Sequence, residues 1–258
     1  MSNIASYPAF KLLPYENSHA ALSEYTSLQR TSSWIYCGPL LPLSDSQLPQ
    51  SYHEWHKAAI NGSLTAKLLS FLSFANHFLS AAGINHYWLT IRATTPTTDY
   101  DKPRWHTDED FFQGEKLIRT QWKLVTTLLG PGTLFIEDAK TARAVESKMK
   151  LDAQREHTDH LCTSFTCLGC ATASAAVRQR LADNFRGHKV IQAANGTCCF
   201  FRIGQEQGAV HSEPPQNCDR VFVNIVPGTA GELQDLMAKW GMTAFPRSWS
   251  IGLPMRAH

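Results

Sequence analysis

The sequence predicts a mainly β protein with flanking helices, an α+β chain whose strands pair antiparallel. Three observations lead there. Apolar patterning runs in the order helices, strands, helical insertion, strands, helix, not in the strict alternation of a parallel α/β fold. Two stretches, His86–Arg92 and Leu117–Leu129, are dense in aromatic and β-branched residues, as strands are. A further pair of β-like runs, Lys189–Gln192 and Thr197–Ile203, flanks Asn195-Gly196, a strong tight-turn signal.

At 258 residues the chain is long enough for one domain with a buried core, and nothing in it marks a linker. The expected layout is a helical N-terminal support over 1–84, core strands over 85–137 and 188–227, a helical insertion over 138–187, and a C-terminal helix and tail over 228–258. Short helices are expected at Ser18–Gln29 and Tyr52–Ile60. The clearest helix runs between Ser63, a plausible N-cap, and Gly83, a stop signal, with Leu64, Leu68, Phe71, Leu72, Ala75, Phe78, Leu79 and Ala82 on one face. Such a stripe packs against the outside of a sheet. Thr133–Glu137 reads as a short strand closed off by Gly130-Pro131-Gly132. Ala139–Gln154 and Thr172–Arg186 read as the helices of the insertion. Gly208–His211 and Arg220–Val226 complete the strands, and Ala230–Trp240 is a last helix.

Composition narrows the function classes. A formal net charge of +2, with no long Lys/Arg block, gives no electrostatic footprint for nucleic acid or a membrane surface. The most apolar region, Leu64–Ala82, carries Lys67, Asn76 and His77 and has helical period, so it reads as a core helix and not a membrane span. Met1–Phe10 has neither a basic start nor an apolar run, and 7 cysteines with no secretory signal point to reduced thiols and a cytoplasmic protein. The expected partner is a small molecule.

Trp105-His106-Thr107-Asp108-Glu109-Asp110 holds the most chemistry. Residues i and i+2 of a strand share a face, so His106 and Asp108 are placed to bind one cation. His211, arriving from another strand, completes a face of two imidazoles and a carboxylate. That donor set with open opposite positions suits non-haem Fe(II) oxygenases. Asp110 stands as the alternative carboxylate. Ser212–Asn217 is turn chemistry, so Arg220 opens the strand beside His211 and brings a planar guanidinium near the metal, suited to a carboxylate.

These residues resemble the Fe(II)- and 2-oxoglutarate-dependent dioxygenases. The likeness rests on His106-Thr107-Asp108, Asn195-Gly196-Thr197-Cys198-Cys199-Phe200-Phe201, Gly208-Ala209-Val210-His211 and Arg220, and covers roughly residues 86–226. Leu129–Thr133 and His211–Pro215 are also similar to a cupin-like family of the DUF1826 type. The resemblance implies a double-stranded β-helix (jelly-roll or cupin) core. It implies Fe(II) held by His106, Asp108 and His211, 2-oxoglutarate as cosubstrate with its distal carboxylate on Arg220, and O2 as oxidant. It implies oxidation of a substrate C–H bond, by hydroxylation, desaturation or ring closure. Many members carry a Ser or Thr two residues after the Arg, where this chain has Phe222, so either Thr127 or Thr133 helps instead or Arg220 acts alone. Arg92, Trp105, Trp122 and Arg202 are the candidates for substrate contact; an inward Arg would suit a small carboxylic or amino acid.

A rival reading attaches to His157, His160, Cys162, Cys167 and Cys170, residue types and spacings that suit zinc. It would make the chain a non-catalytic cupin-like binding protein, stabilised by zinc. Cys198 and Cys199, neighbours on a strand, are expected to point to opposite faces and pack as small apolar residues.

Overall fold

A computed structural model of the chain describes residues 8–15, 25–112, 121–156, 168–204 and 206–253. Strands β1 (Phe10–Pro14), β2 (Ser27–Leu28) and β3 (Ser32–Pro39) come first. Helix α1 (Gln50–Ala59) runs into β4 (Ile60–Asn61), and α2 (Thr65–Ala81) follows. Next are β5 (His86–Thr94), β6 (Trp122–Leu129) and β7 (Leu134–Ile136), then α3 (Ala139–Glu156) and α4 (Leu168–Asn184). The chain returns through β8 (Val190–Gln192), β9 (Thr197–Arg202), β10 (His211–Ser212) and β11 (Arg220–Gly228), followed by α5 (Ala230–Lys239) and β12 (Arg247–Ile251).

The strands form a 7-stranded sheet in the order β1-β9-β6-β11-β5-β3-β12 and a 3-stranded sheet in the order β10-β7-β8. Pairing is antiparallel throughout both. A bridge between His106 and His211 extends the small sheet by one residue beyond β10. The chain therefore shuttles between sheets: β5 and β6 lie in the large one with the His106 bridge between them, β7 and β8 in the small one, β9 in the large, β10 in the small, β11 in the large.

Side-chain alternation in the large sheet sorts two cores. Tyr87, Leu89, Ile91 and Ala93 of β5, with Leu124, Leu128, Val221, Val223, Ile225 and Cys198, pack outward against Trp55 of α1 and Leu68, Phe71, Leu72, Ala75 and Leu79 of α2. The α2 stripe is thus the expected one. Removing the fully buried Phe71 side chain would cost about 3–5 kcal/mol. The other face meets the small sheet through Val125, Phe135, Ala193, Cys199, Phe201, Ile203 and Ala209. Phe135 and Phe201 touch edge to face across this gap at 5.5 Å. Cys198 and Cys199 fall into different cores, as strand alternation requires.

Several expectations are corrected. The N-terminal support is not only helical: β1 and β3 join the large sheet, and β12 from the C-terminal region covers its far edge. β1 spans five residues and ends on Pro14, an edge strand by chemistry, and its brevity hid it. Leu64, not Ser63, holds the cap position of α2, with no side-chain hydrogen bond. The helix expected over Ser18–Gln29 lies mostly outside the described residues, and its last part, Ser27–Leu28, is a strand. Residues 117–120 of the second β run also lie outside them. The strand expected over Gly208–His211 is only its final residue continued to Ser212, because the Gly208 and Ala209 amides donate to Gly204 O and Arg202 O in a turn.

One turn positions the site directly. Gly130, at φ +82°, passes so close to β11 that a Cβ there would meet Asp219 O at 2.5 Å. Gly130→Ala is expected to lower stability by about 1–3 kcal/mol, read as a lower urea midpoint; an unchanged midpoint would contradict this packing.

Candidate metal centre

His106 and His211 face each other as an antiparallel pair, exchanging backbone hydrogen bonds of 3.0 and 2.9 Å. Their rings lie 4.4 Å apart. The Asp108 carboxylate reaches them from the loop beyond: Oδ1 is 4.0 Å from His106 Nε2 and Oδ2 is 3.7 Å from His211 Nε2. One ligand atom from each of these residues lies within 4.8 Å of the others. Asp110 is exposed and sits against Gly204, away from this cluster. The strand does not run through Asp108, as the i, i+2 argument assumed. After His106 the backbone leaves the sheet, and the Asp108 carbonyl accepts from Gly204 N at 2.9 Å.

Both imidazoles are oriented by backbone. His106 Nδ1 lies 2.7 Å from Arg104 O, and His211 Nδ1 lies 3.0 Å from Ala209 O. A carbonyl only accepts, so each Nδ1 carries the proton and each Nε2 turns its lone pair into the pocket, the tautomer a metal needs. Ser212 steadies the first of these: its hydroxyl accepts from Arg104 N at 2.8 Å.

Lys123 of β6 sits beside the carboxylate, its Nζ 2.9 Å from Asp108 Oδ2 and near the Phe111 and Phe201 rings. Burial disfavours the Asp108 anion, but the Lys123 ammonium, then the two imidazoles, outweigh it and hold the carboxyl well below the usual carboxylate range. Burial, helped by the neighbouring His106, lowers the His211 pKa to about 4, so at neutral pH this ring is uncharged and free to ligate.

The metal loop is tied to the insertion through Glu146 of α3, 1% exposed. Its Oε1 accepts from Thr107 N (3.1 Å), Thr107 Oγ1 (2.7 Å) and Lys150 Nζ (2.9 Å), and Arg143 lies 3.6 Å from Oε2. Thr107 separates two members of the cluster, so Glu146 fixes the backbone that sets their relative position.

A cavity of about 220 Å³ opens beside the cluster, lined by Arg92, His106, Asp108, Lys123, Thr133, His211, Ser212, Glu213, Arg220 and Phe222. Arg220 is 1% exposed. Among the described residues its one hydrogen bond is Nε to Pro131 O at 2.9 Å, and no carboxylate pairs with it. Burial lowers its pKa to about 10, still far above neutrality.

Of the other sequence candidates, Arg92 lines the cavity, and so does Thr133. Thr127 is buried opposite Phe222 and is not among the lining residues. Trp105 packs under the insertion with Ile136, Leu181 and Phe185. Trp122 stacks on Phe200 at 4.2 Å, on the face turned toward α2, with Arg202 over its ring. These three side chains are each one residue out of phase with an inward neighbour: His106, Lys123 and Phe201. Sequence reasoning missed Lys123, Glu146, Ser212 and Glu213. Lys123 stood out as a charge inside an apolar run, and Glu213 lies two residues after His211; Glu146 left no signal in its helix. His157, His160, Cys162 and Cys167, and the Cys170 side chain, lie outside the described residues.

No family model matches the chain, which leaves the DUF1826 likeness without support, and no curated protein matches it. Among solved structures, the chain is similar to the viral collagen prolyl hydroxylase of Paramecium Bursaria Chlorella virus-1. The truncated form is 12% identical over 61% of this chain and 67% of that one, TM-score 0.31; the 2OG complex is 12% identical over 61% and 70%, TM-score 0.30. A Pseudomonas putida prolyl-4-hydroxylase is 10% identical over 78% and 76%, TM-score 0.29. Overlap this loose is silent on activity and substrate, which only the residues of the site can address.

Two outcomes follow from the centre. Glu146→Gln is expected to weaken binding of a divalent metal about 10–100-fold in anaerobic calorimetric titration; unaltered affinity would show that Thr107 needs no such tether. For His211, the folded form binds fewer protons than the unfolded chain between pH 6.5 and about 4. Stability of the metal-free protein therefore falls as pH drops through that window. His211→Gln should flatten this part of the urea-midpoint profile, and an equally steep profile in the variant would contradict it.

Proposed function

We propose that the chain is a non-haem Fe(II)- and 2-oxoglutarate-dependent oxygenase acting on a C–H bond of a small organic substrate. The observation that carries this reading is Arg220, a buried guanidinium with no salt-bridged acid among the described residues, in the same cavity as a His106–Asp108–His211 cluster. A buried cation without a counter-ion is costly, and a ligand carboxylate is the group that relieves it. The donor set fits the metal: two imidazole nitrogens and one carboxylate oxygen on one side suit Fe(II) with open positions facing the cavity. Strand order supports a double-stranded β-helix. β5, β6, β9 and β11 supply one sheet, and the His106 bridge, β7, β8 and β10 the other, with the centre between the two.

Bound iron with a 2-oxo acid and O2 supplies an oxidant strong enough to remove hydrogen from an unactivated carbon. The protein's own part is placement and exclusion. His106 and His211 offer Nε2, locked by their Nδ1 contacts. Asp108 stays ionised because Lys123 stands beside it. Arg220 receives the far carboxylate of the 2-oxo diacid, held in aim by Pro131 O. The Phe222 ring walls the cavity against water.

Anaerobic addition of Fe(II) and 2-oxoglutarate should give a weak visible charge-transfer band in the wild type and none in His211→Ala, and His106→Ala should form no succinate in air. Unchanged succinate from His106→Ala would remove the assignment, and stoichiometric zinc without iron binding would favour the non-catalytic reading.

A further inference from the structure

We infer that Arg92 is the second grip on the distal carboxylate of the 2-oxo diacid, making with Arg220 a two-guanidinium clamp around Phe222. This rests on the proposed function and goes beyond it, because it moves Arg92 from substrate contact to cosubstrate binding.

The geometry begins with register. Phe222 pairs with Arg92, and Arg220 with Thr94, across the β11–β5 ladder. Strand alternation puts Arg220 and Phe222 on one face of β11, and Arg92 on the matching face of β5, opposite the outward Leu89, Ile91 and Ala93. The Arg220 guanidinium carbon lies 4.8 Å from the Phe222 ring centroid and that of Arg92 lies 5.4 Å from it. Two like charges are thus gathered on one aromatic ring at the wall of one cavity. After burial, the proximity of Arg92 is a cause of the lowered Arg220 pKa. Such a pair becomes favourable when an anion lies between them.

The protein does not supply that anion in full. Arg92 faces Glu213 at 3.6 Å, too long for a charge-assisted hydrogen bond, and makes no hydrogen bond among the described residues. Among the described residues the terminal nitrogens of Arg220 make no hydrogen bond, as Pro131 takes only Nε. Charge matching says the same. Lys123 is matched by Asp108 and Arg92 partly by Glu213, which leaves Arg220 over, and a divalent metal would add two more positive charges. A dianion with one carboxylate at the metal end and one at the arginines offsets two of these three uncompensated charges. A monoanionic 2-oxo acid would leave the arginine end unmatched. The Phe222 ring serves as the apolar post against which both guanidinium groups lie, and Arg92 supplies the further donors.

The test is an anaerobic titration of the Fe(II)-loaded protein with 2-oxoglutarate and with 2-oxopentanoate, which has the same carbon chain but no distal carboxylate, read by the charge-transfer band and by calorimetry. Arg92→Gln should weaken 2-oxoglutarate binding about 10–100-fold, the range for losing a charged hydrogen bond, while changing 2-oxopentanoate binding less than about twofold. Arg92→Lys should recover most of the loss. Glu213→Gln, which frees Arg92 and removes a competing anion, should tighten 2-oxoglutarate. Iron content and thermal midpoint confirm that each variant is folded; Arg92 is half-exposed, and its loss leaves the cores intact. If Arg92→Gln keeps the wild-type preference for the diacid, or Glu213→Gln weakens it, the clamp is wrong while the proposed function stands. A wild type that binds iron but neither acid would overturn the proposed function and the clamp with it.

Discussion

The short antiparallel pairing of His106 with His211 is the constraint on which the site depends. It is a single bridge, made by two reciprocal backbone hydrogen bonds, between segments far apart in sequence. Because paired residues of an antiparallel ladder present their side chains to the same face, the bridge alone brings two imidazoles together. Everything else refines that pairing. Arg104 O and Ala209 O set the ring tautomers, Glu146 sets the loop that carries Asp108, and the large sheet supplies Lys123, Arg92 and Arg220 from across the gap.

The polar groups of the site are costly to bury, and the fold offsets that cost unevenly. Asp108 has Lys123, and Glu146 has Thr107, Lys150 and Arg143. These are closed networks, and their role is to hold geometry. Arg220 is the exception: it is as deeply buried as the core phenylalanines and has no acid partner among the described residues. A cavity that holds a deeply buried cation with no salt-bridged acid among the described residues is shaped for an anion. The apolar layers on either side, α2 outside and Phe135 with Phe201 inside, make the large sheet stiff enough to keep that cation in place.

Much of this was legible in the sequence. The three-residue cluster, the strand carrying Arg220, the α2 stripe and the two helices of the insertion follow from periodicity and residue chemistry that act locally. What failed was parity. Trp105, Trp122 and Arg202 were placed in the cavity, yet each faces away, because shifting a strand by one residue exchanges its two faces and the sequence of a sheet covered on both sides does not mark which is which. β1, β3 and β12 were missed for a related reason: they are held by partners distant in sequence, Phe10 by Phe201 and Arg247 by Cys37. Lys123 and Glu146 acquire meaning only when folding brings them against Asp108 and Thr107.

The central claim is that one iron and one 2-oxo diacid share this cavity. Anomalous diffraction from crystals soaked anaerobically with Fe(II) and 2-oxoglutarate tests it most directly. The account predicts one iron peak bonded to His106 Nε2, Asp108 and His211 Nε2, with the distal carboxylate of the acid against Arg220. An iron peak bound by other residues, or an acid lying away from Arg220, would contradict it.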